Sequence, residues 1–86
     1  MDKDKIYNTT SLNLATFLYI KGFELIDIKD EGKDGKKVFV FNHSDDIERV
    51  ARVFYFGEND NPELMVNARN LLGLFKELKN KLYSLD

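Results

Sequence analysis

Residues 37–41 read KVFVF. Val38, Phe39, Val40 and Phe41 are all strand formers. Side chains of a strand alternate between its two faces, so this strand is apolar on both. It is either central and covered on both sides, or it displays two residues on an outer face. A second strand-forming run, FELIDIK at 23–29, lies upstream of it. The intervening DEGKDGK is glycine-rich and charged, which suits a solvated hairpin connection longer than a two-residue turn.

Helical signals surround this pair. The hydroxyls of Thr9, Thr10 and Ser11 are available to cap a first helix. Leu14, Ala15, Leu18 and Tyr19 follow at helical spacing, flanked by Leu12 and Ile20. Lys21-Gly22 closes that helix with a cation and then a glycine free to take positive φ, and Phe23 is placed to fold back on the last turn. A second helix is expected over 45–56, with Ile47, Val50, Ala51 and Phe54 on one side, ended by Gly57. ELMV at 63–66 reads as a short third strand. Asn67 caps a last helix whose stripe runs Leu71, Phe75, Leu78, Leu82, Leu85, widened by Leu72 and Leu74.

The expected architecture is two-layer α+β in the order α-β-β-α-β-α, a three-stranded sheet with helices packed mainly on one face. With KVFVF in the centre, the third strand lies parallel to it through a right-handed crossover. With FELIDIK in the centre, the sheet is fully antiparallel. The doubly apolar KVFVF favours the first arrangement.

At 86 residues the chain is long enough for one domain, expected over 9–86 after a flexible N-terminus at 1–8, of which Ile6 and Tyr7 are available to pack back. It has no cysteine, which excludes disulfides and thiolate metal sites and suits a reducing compartment. MDKDKIYNTT lacks the apolar core of a secretory leader, and no apolar run approaches the roughly 20 residues of a membrane span. A cytoplasmic protein with no membrane contact is expected. Thirteen Lys and Arg against fifteen Asp and Glu leave a formal charge of −2, which removes the simplest argument for binding a polyanion.

The segment FNHSDD at 41–46 is the most suggestive of chemistry, because it holds the single histidine, His43, beside Asp45 and Asp46. Two adjacent acids on an incipient helix project about 100° apart and converge poorly with an imidazole on one ion. Asp45 and Glu48 instead have capping-box spacing, with Ser44 as an alternative cap. Asp45–Arg49 and Glu48–Arg52 are i,i+4 pairs in the favourable order. ENDNPE at 58–63 lacks the calcium-loop pattern, and EGKDGK lacks phosphate-loop spacing. There is no Cys, no GxSxG and no serine partnered to His43. No catalytic residue, metal or cofactor is expected.

LATFLYIKGFELI, KVFVFNHSDDIERV and LLGLFKELKNKLYS together resemble a family of small uncharacterised proteins from phages and mobile elements of Gram-positive bacteria. Their common features are a leading helix ending in Lys-Gly-Phe, an FxF strand before an acidic helix start, and a last helix ending near Leu-Tyr. The resemblance runs from about Leu12 to Ser84 and implies a phage or mobile-element setting. It transfers no activity and no functional residue.

Two surface features are left as candidates. Phe39, Phe41, Tyr55 and Phe56 either fill the core or form an apolar patch that recruits a protein partner or a second copy. Arg69, Lys76, Lys79 and Lys81 are either a solvated helix face or a phosphate-contacting surface. The expected function is a non-enzymatic interaction module, an accessory protein that binds another protein or self-associates. The alternative is a nucleic-acid-binding accessory protein using the basic last helix or the aromatic FVF strand.

Overall fold

A computed structural model of the protein describes residues 6–30 and 36–83. The element order is β1 (Ile6–Thr9), α1 (Leu12–Ile20), β2 (Leu25–Asp30), β3 (Lys37–Asn42), α2 (Asp45–Phe56), a 3₁₀ turn at Pro62–Leu64 and α3 (Ala68–Tyr83). The fold is α+β, with a three-stranded sheet and the helices on one face of it.

The KVFVF strand is central, the position its doubly apolar pattern favoured. The sheet order is β1-β3-β2, and β3 pairs antiparallel with both neighbours. The expected parallel partner at 63–66 is therefore a correction. Pro62 has no N–H to give a ladder, Asn61 caps the turn through its side chain, and residues 62–64 wind into 3₁₀ geometry. Glu63 is also held from two helices. Its carbonyl accepts from Lys21 Nζ at 3.0 Å, and its carboxylate pairs with Arg49 Nη1 at 2.6 Å. These contacts dock the segment against α1 and α2 rather than along the sheet.

The third strand comes from the N-terminus. Tyr7 stands opposite Phe41 and Thr9 opposite Phe39, so residues 6–8 are a paired edge strand rather than a flexible tail. Residues 1–5 of that expected tail lie outside the described residues. β1 and β2, both antiparallel to β3, run parallel to each other, with α1 as the crossover between them.

β2 carries an irregularity that its sequence conceals. Leu25 pairs with Phe41 but Asp27 pairs with Val40, leaving Ile26 as the extra residue of a bulge. The bulge lets Leu25 and Ile28, three apart, share the covered face, while Ile26 is exposed. It also twists an edge strand away from regular pairing. The hairpin ends with Asp30 opposite Lys37, joined by an ion pair of 2.9 Å. Most of the expected connection, residues 31–35, lies outside the described residues.

α1 is buried over five successive residues, Leu14 to Leu18, which cover every direction around a helix. It lies in the middle of the helical layer. The buried Thr16 hydroxyl is satisfied by donating to the Leu12 carbonyl at 2.8 Å. Ser11 caps the start, accepting from the Leu14 N–H at 3.0 Å. At the other end Gly22, at φ +100°, lets the Phe23 N–H bond back to the Leu18 carbonyl.

Around α1 gather Phe39 and Phe41 from β3, Ile47, Val50 and Ala51 from α2, and Leu78 from α3. Val40, on the opposite face of β3 between Asn8 and Asp27, is buried but stands apart from that cluster. Among the described residues no helix is long and apolar enough to cross a membrane.

Candidate interaction surface

The four aromatic candidates divide. Phe39 and Phe41 are 1% and 0% exposed. As contact residues they are a correction: β3 is central and its phenylalanine face is covered by the helices, so these rings belong to the core. Tyr55 and Phe56 do face solvent, Phe56 at 82%. They lie at the last turn of α2, which fans out three consecutive rings. Phe54 packs inward against Phe17 with centroids 5.1 Å apart, Tyr55 meets Phe54 edge-on at 5.3 Å, and Phe56 follows at 6.3 Å from Tyr55.

On the inner side of this fan lies an apolar cleft of about 310 Å³ where the three helices meet. Phe17 and Phe54 form part of its floor, α3 contributes Leu71, Leu72 and Phe75, and α1 adds Asn13 and Thr16. The Thr16 proton is used inside α1, which leaves its oxygen only as an acceptor. Apart from that oxygen and the exposed Asn13 amide, the lining side chains offer carbon. Leu72 stands on the rim, 67% exposed. These residues were not singled out from sequence. The one available signal was Leu72 itself, which widens the α3 stripe beyond what a single core contact uses.

A second hollow lies on the outer side of the fan, lined by Tyr7, Glu48, Ala51, Arg52, Tyr55 and Phe56. It is more polar. Tyr7 holds its phenolic proton more tightly than an ordinary tyrosine, first because of burial and then because Tyr55 and Glu48 add negative charge nearby on ionisation.

The HSDD motif begins α2. Ser44, the alternative cap, accepts from the Ile47 N–H at 3.1 Å, and Asp45 and Asp46 occupy the first turn of α2, where acids suit the positive helix end. His43 does not turn to either aspartate; its Nε2 lies 2.6 Å from Glu48 Oε2. Arg49 lies 3.6 Å from Asp46 and takes its shorter contacts with Glu63. In place of the expected Asp45–Arg49 and Glu48–Arg52 pairs, Arg49 reaches Glu63 at the 3₁₀ turn and Glu48 meets His43 in the loop before the helix. Among the described residues no three His, Asp or Glu side chains gather as metal ligands.

The four cations of α3 do not form one face. At about 100° per residue, Arg69, Lys76 and Lys79 fall within an arc of about 80°, on the same side as Leu72. Lys81 lies about 140° from Lys76 by the same spacing, with Glu77 between them. Glu77 itself faces α1, where it accepts from the Tyr19 hydroxyl at 3.5 Å. Lys79 leans toward the cleft, its ammonium 5.9 Å from the centre of the Phe75 ring.

Comparison with known proteins identifies a family. A family model, domain of unknown function DUF5659, covers residues 4–84. No curated protein and no solved structure matches the chain. With nearly its whole length covered, the chain belongs to the DUF5659 family.

Proposed function

We propose that this DUF5659 protein is a non-enzymatic interaction module, a cytoplasmic accessory protein of a phage or mobile element that binds another protein through the three-helix cleft. One observation carries this reading. Leu72 is 67% exposed at the edge of a cleft floored by Phe17, Phe54 and Phe75. A small domain gains about 25 cal/mol for each Å² of apolar surface it covers, and contiguous apolar surface left open marks a contact site more often than scattered single residues do. Tyr55 and Phe56 line a separate hollow and add exposed rings beyond the cleft, at the end of α2.

The test compares wild type with Leu72→Asp as bait in host lysate. Leu72 projects outward, so the variant keeps its fold, which circular dichroism checks. A partner retained by wild type and lost by the variant supports the cleft. Equal capture by both removes it. Light scattering during size exclusion tests self-association, and a strict monomer at high concentration removes that form of the proposal.

Nucleic-acid binding is the second reading, favoured by the shared arc of Arg69, Lys76 and Lys79. It predicts oligonucleotide binding that weakens steeply with salt. No shift of single- or double-stranded oligonucleotides at low salt would sink it. Its other form, bases stacked on the FVF strand, lacks exposed rings, because Phe39 and Phe41 are buried.

A further inference from the structure

We infer that the partner segment seated in the cleft is an amphipathic helix with an apolar stripe and acidic flanks, lying alongside α3. This rests on the cleft being the binding surface and specifies what it accepts. The apolar part follows from the floor. Phe17, Phe54, Leu71 and Phe75 present carbon, and the polar lining groups are the exposed Asn13 amide and the Thr16 hydroxyl, whose proton is used inside α1. A polar side chain inserted among the rings would lose its water with few groups to replace it. A cleft of about 310 Å³ is at the small end of ligand sites. It has room for a few anchoring side chains, as a groove does that takes successive turns of one helix. Leu71 and Phe75 stand one turn apart on α3, matching the i,i+4 spacing such a helix would present.

The acidic part follows from the rim. Lys79 sits over the Phe75 ring, and Lys76 stands one turn beyond Leu72. Arg69 shares their arc. No Asp or Glu of α3 lies on that arc, since Glu77 points toward Tyr19. A partner crossing from floor to rim meets apolar surface and then cations.

The same charges argue against a second copy. A two-fold symmetric contact sets the patch against the same patch of its mate. Arg69, Lys76 and Lys79 would then meet a patch whose α3 arc carries cations and no acid. Complementary charge also steers encounter and rejects wrong partners.

The test uses the full chain and three labelled synthetic helical peptides, read by fluorescence anisotropy. The first carries a leucine stripe at i, i+4 and i+7 with glutamates flanking it. The second has lysines in place of the glutamates. The third keeps the glutamates and replaces the leucines with serine. The expected result is that the glutamate peptide binds about tenfold tighter than the lysine peptide at low salt, as two or three rim pairs imply. Salt narrows the gap, the serine peptide does not bind, and K76E/K79E reverses the preference. Equal binding of the glutamate and lysine peptides overturns the acidic partner and leaves the cleft standing. Binding of the serine peptide as tightly as the leucine one overturns the apolar floor. Failure of all three, with Leu72→Asp also capturing lysate proteins like wild type, removes the cleft itself. Displacement of the glutamate peptide by a single-stranded oligonucleotide assigns the cationic arc to nucleic acid and overturns the inference.

Discussion

Phe39 and Phe41 on β3 and Tyr55 and Phe56 at the end of α2 are aromatic pairs separated by little more than the length of α2 itself, yet their surroundings are opposite. The first pair is sealed between the sheet and the helical layer; the second opens to water. Nothing in the residue types separates them. What does is the position of their elements: β3 has a strand on each side and helices over one face, whereas Tyr55 and Phe56 leave the last turn of α2 away from the cluster that its Ile47, Val50, Ala51 and Phe54 meet. Aromatic content marks material for burial, and the packing of neighbours decides which rings receive it.

Substitutions put numbers on that contrast. Phe41→Ala removes a fully enclosed ring and leaves a cavity, so it should lower unfolding free energy by about 3–5 kcal/mol. In a domain this small that is close to the whole of its stability, and urea titration should show an early, broadened transition. A loss below about 1 kcal/mol would place Phe41 outside the core.

Ser44→Ala tests whether the HSDD segment works on the backbone. Loss of the hydroxyl that accepts from Ile47 should cost about 1 kcal/mol. Asp45→Ala, lacking that bond, should cost less. If the order is reversed, the cap belongs to Asp45 and the assignment of roles within the motif is wrong.

The hollow beside Tyr55 predicts a dependence on pH. Tyr7 holds its proton more tightly in the folded protein than an unfolded tyrosine does, chiefly because it is partly buried. The folded state therefore binds more protons in the alkaline range, and its stability falls as pH rises. The contribution is intact below the ordinary tyrosine range and is lost as pH rises through the elevated folded value. Thermal melts should show an alkaline decline that Tyr7→Phe reduces. An unchanged decline would remove Tyr7 as its source.

The smallest expected effect is on the exposed member of the comparison. Phe56→Ser should change stability by no more than about 0.5 kcal/mol, because the ring has little contact to lose. Its consequence should appear in partner capture, more weakly than for Leu72→Asp, since Phe56 lies outside the cleft. A large loss of stability would mean the ring packs where the structure shows solvent.

The three helices were readable along the chain because their causes are local. Apolar spacing, Ser11 and Ser44 at the caps, and Gly22 and Gly57 at the ends lie within a few residues of what they control. The doubly apolar KVFVF favoured the central place over FELIDIK, without excluding the alternative order. The cleft was hardly readable: Phe17 and Phe54 look like any core residues, and only the extra width that Leu72 gives α3 hinted at surface to spare.

Local order, then, is written into short windows: which segments coil and where they stop. Partnership across distance is not. IYNT is too short and polar to declare itself a strand until β3 supplies its ladder. ELMV resembled a strand until Pro62 and the anchoring of Glu63 turned its approach into a 3₁₀ turn. His43 took Glu48 in place of its neighbouring aspartates. Strand pairing, side-chain choice among several charges, and the line where three helices leave carbon uncovered depend on contacts between residues remote in sequence. Their energies exist only once the chain has brought those residues together.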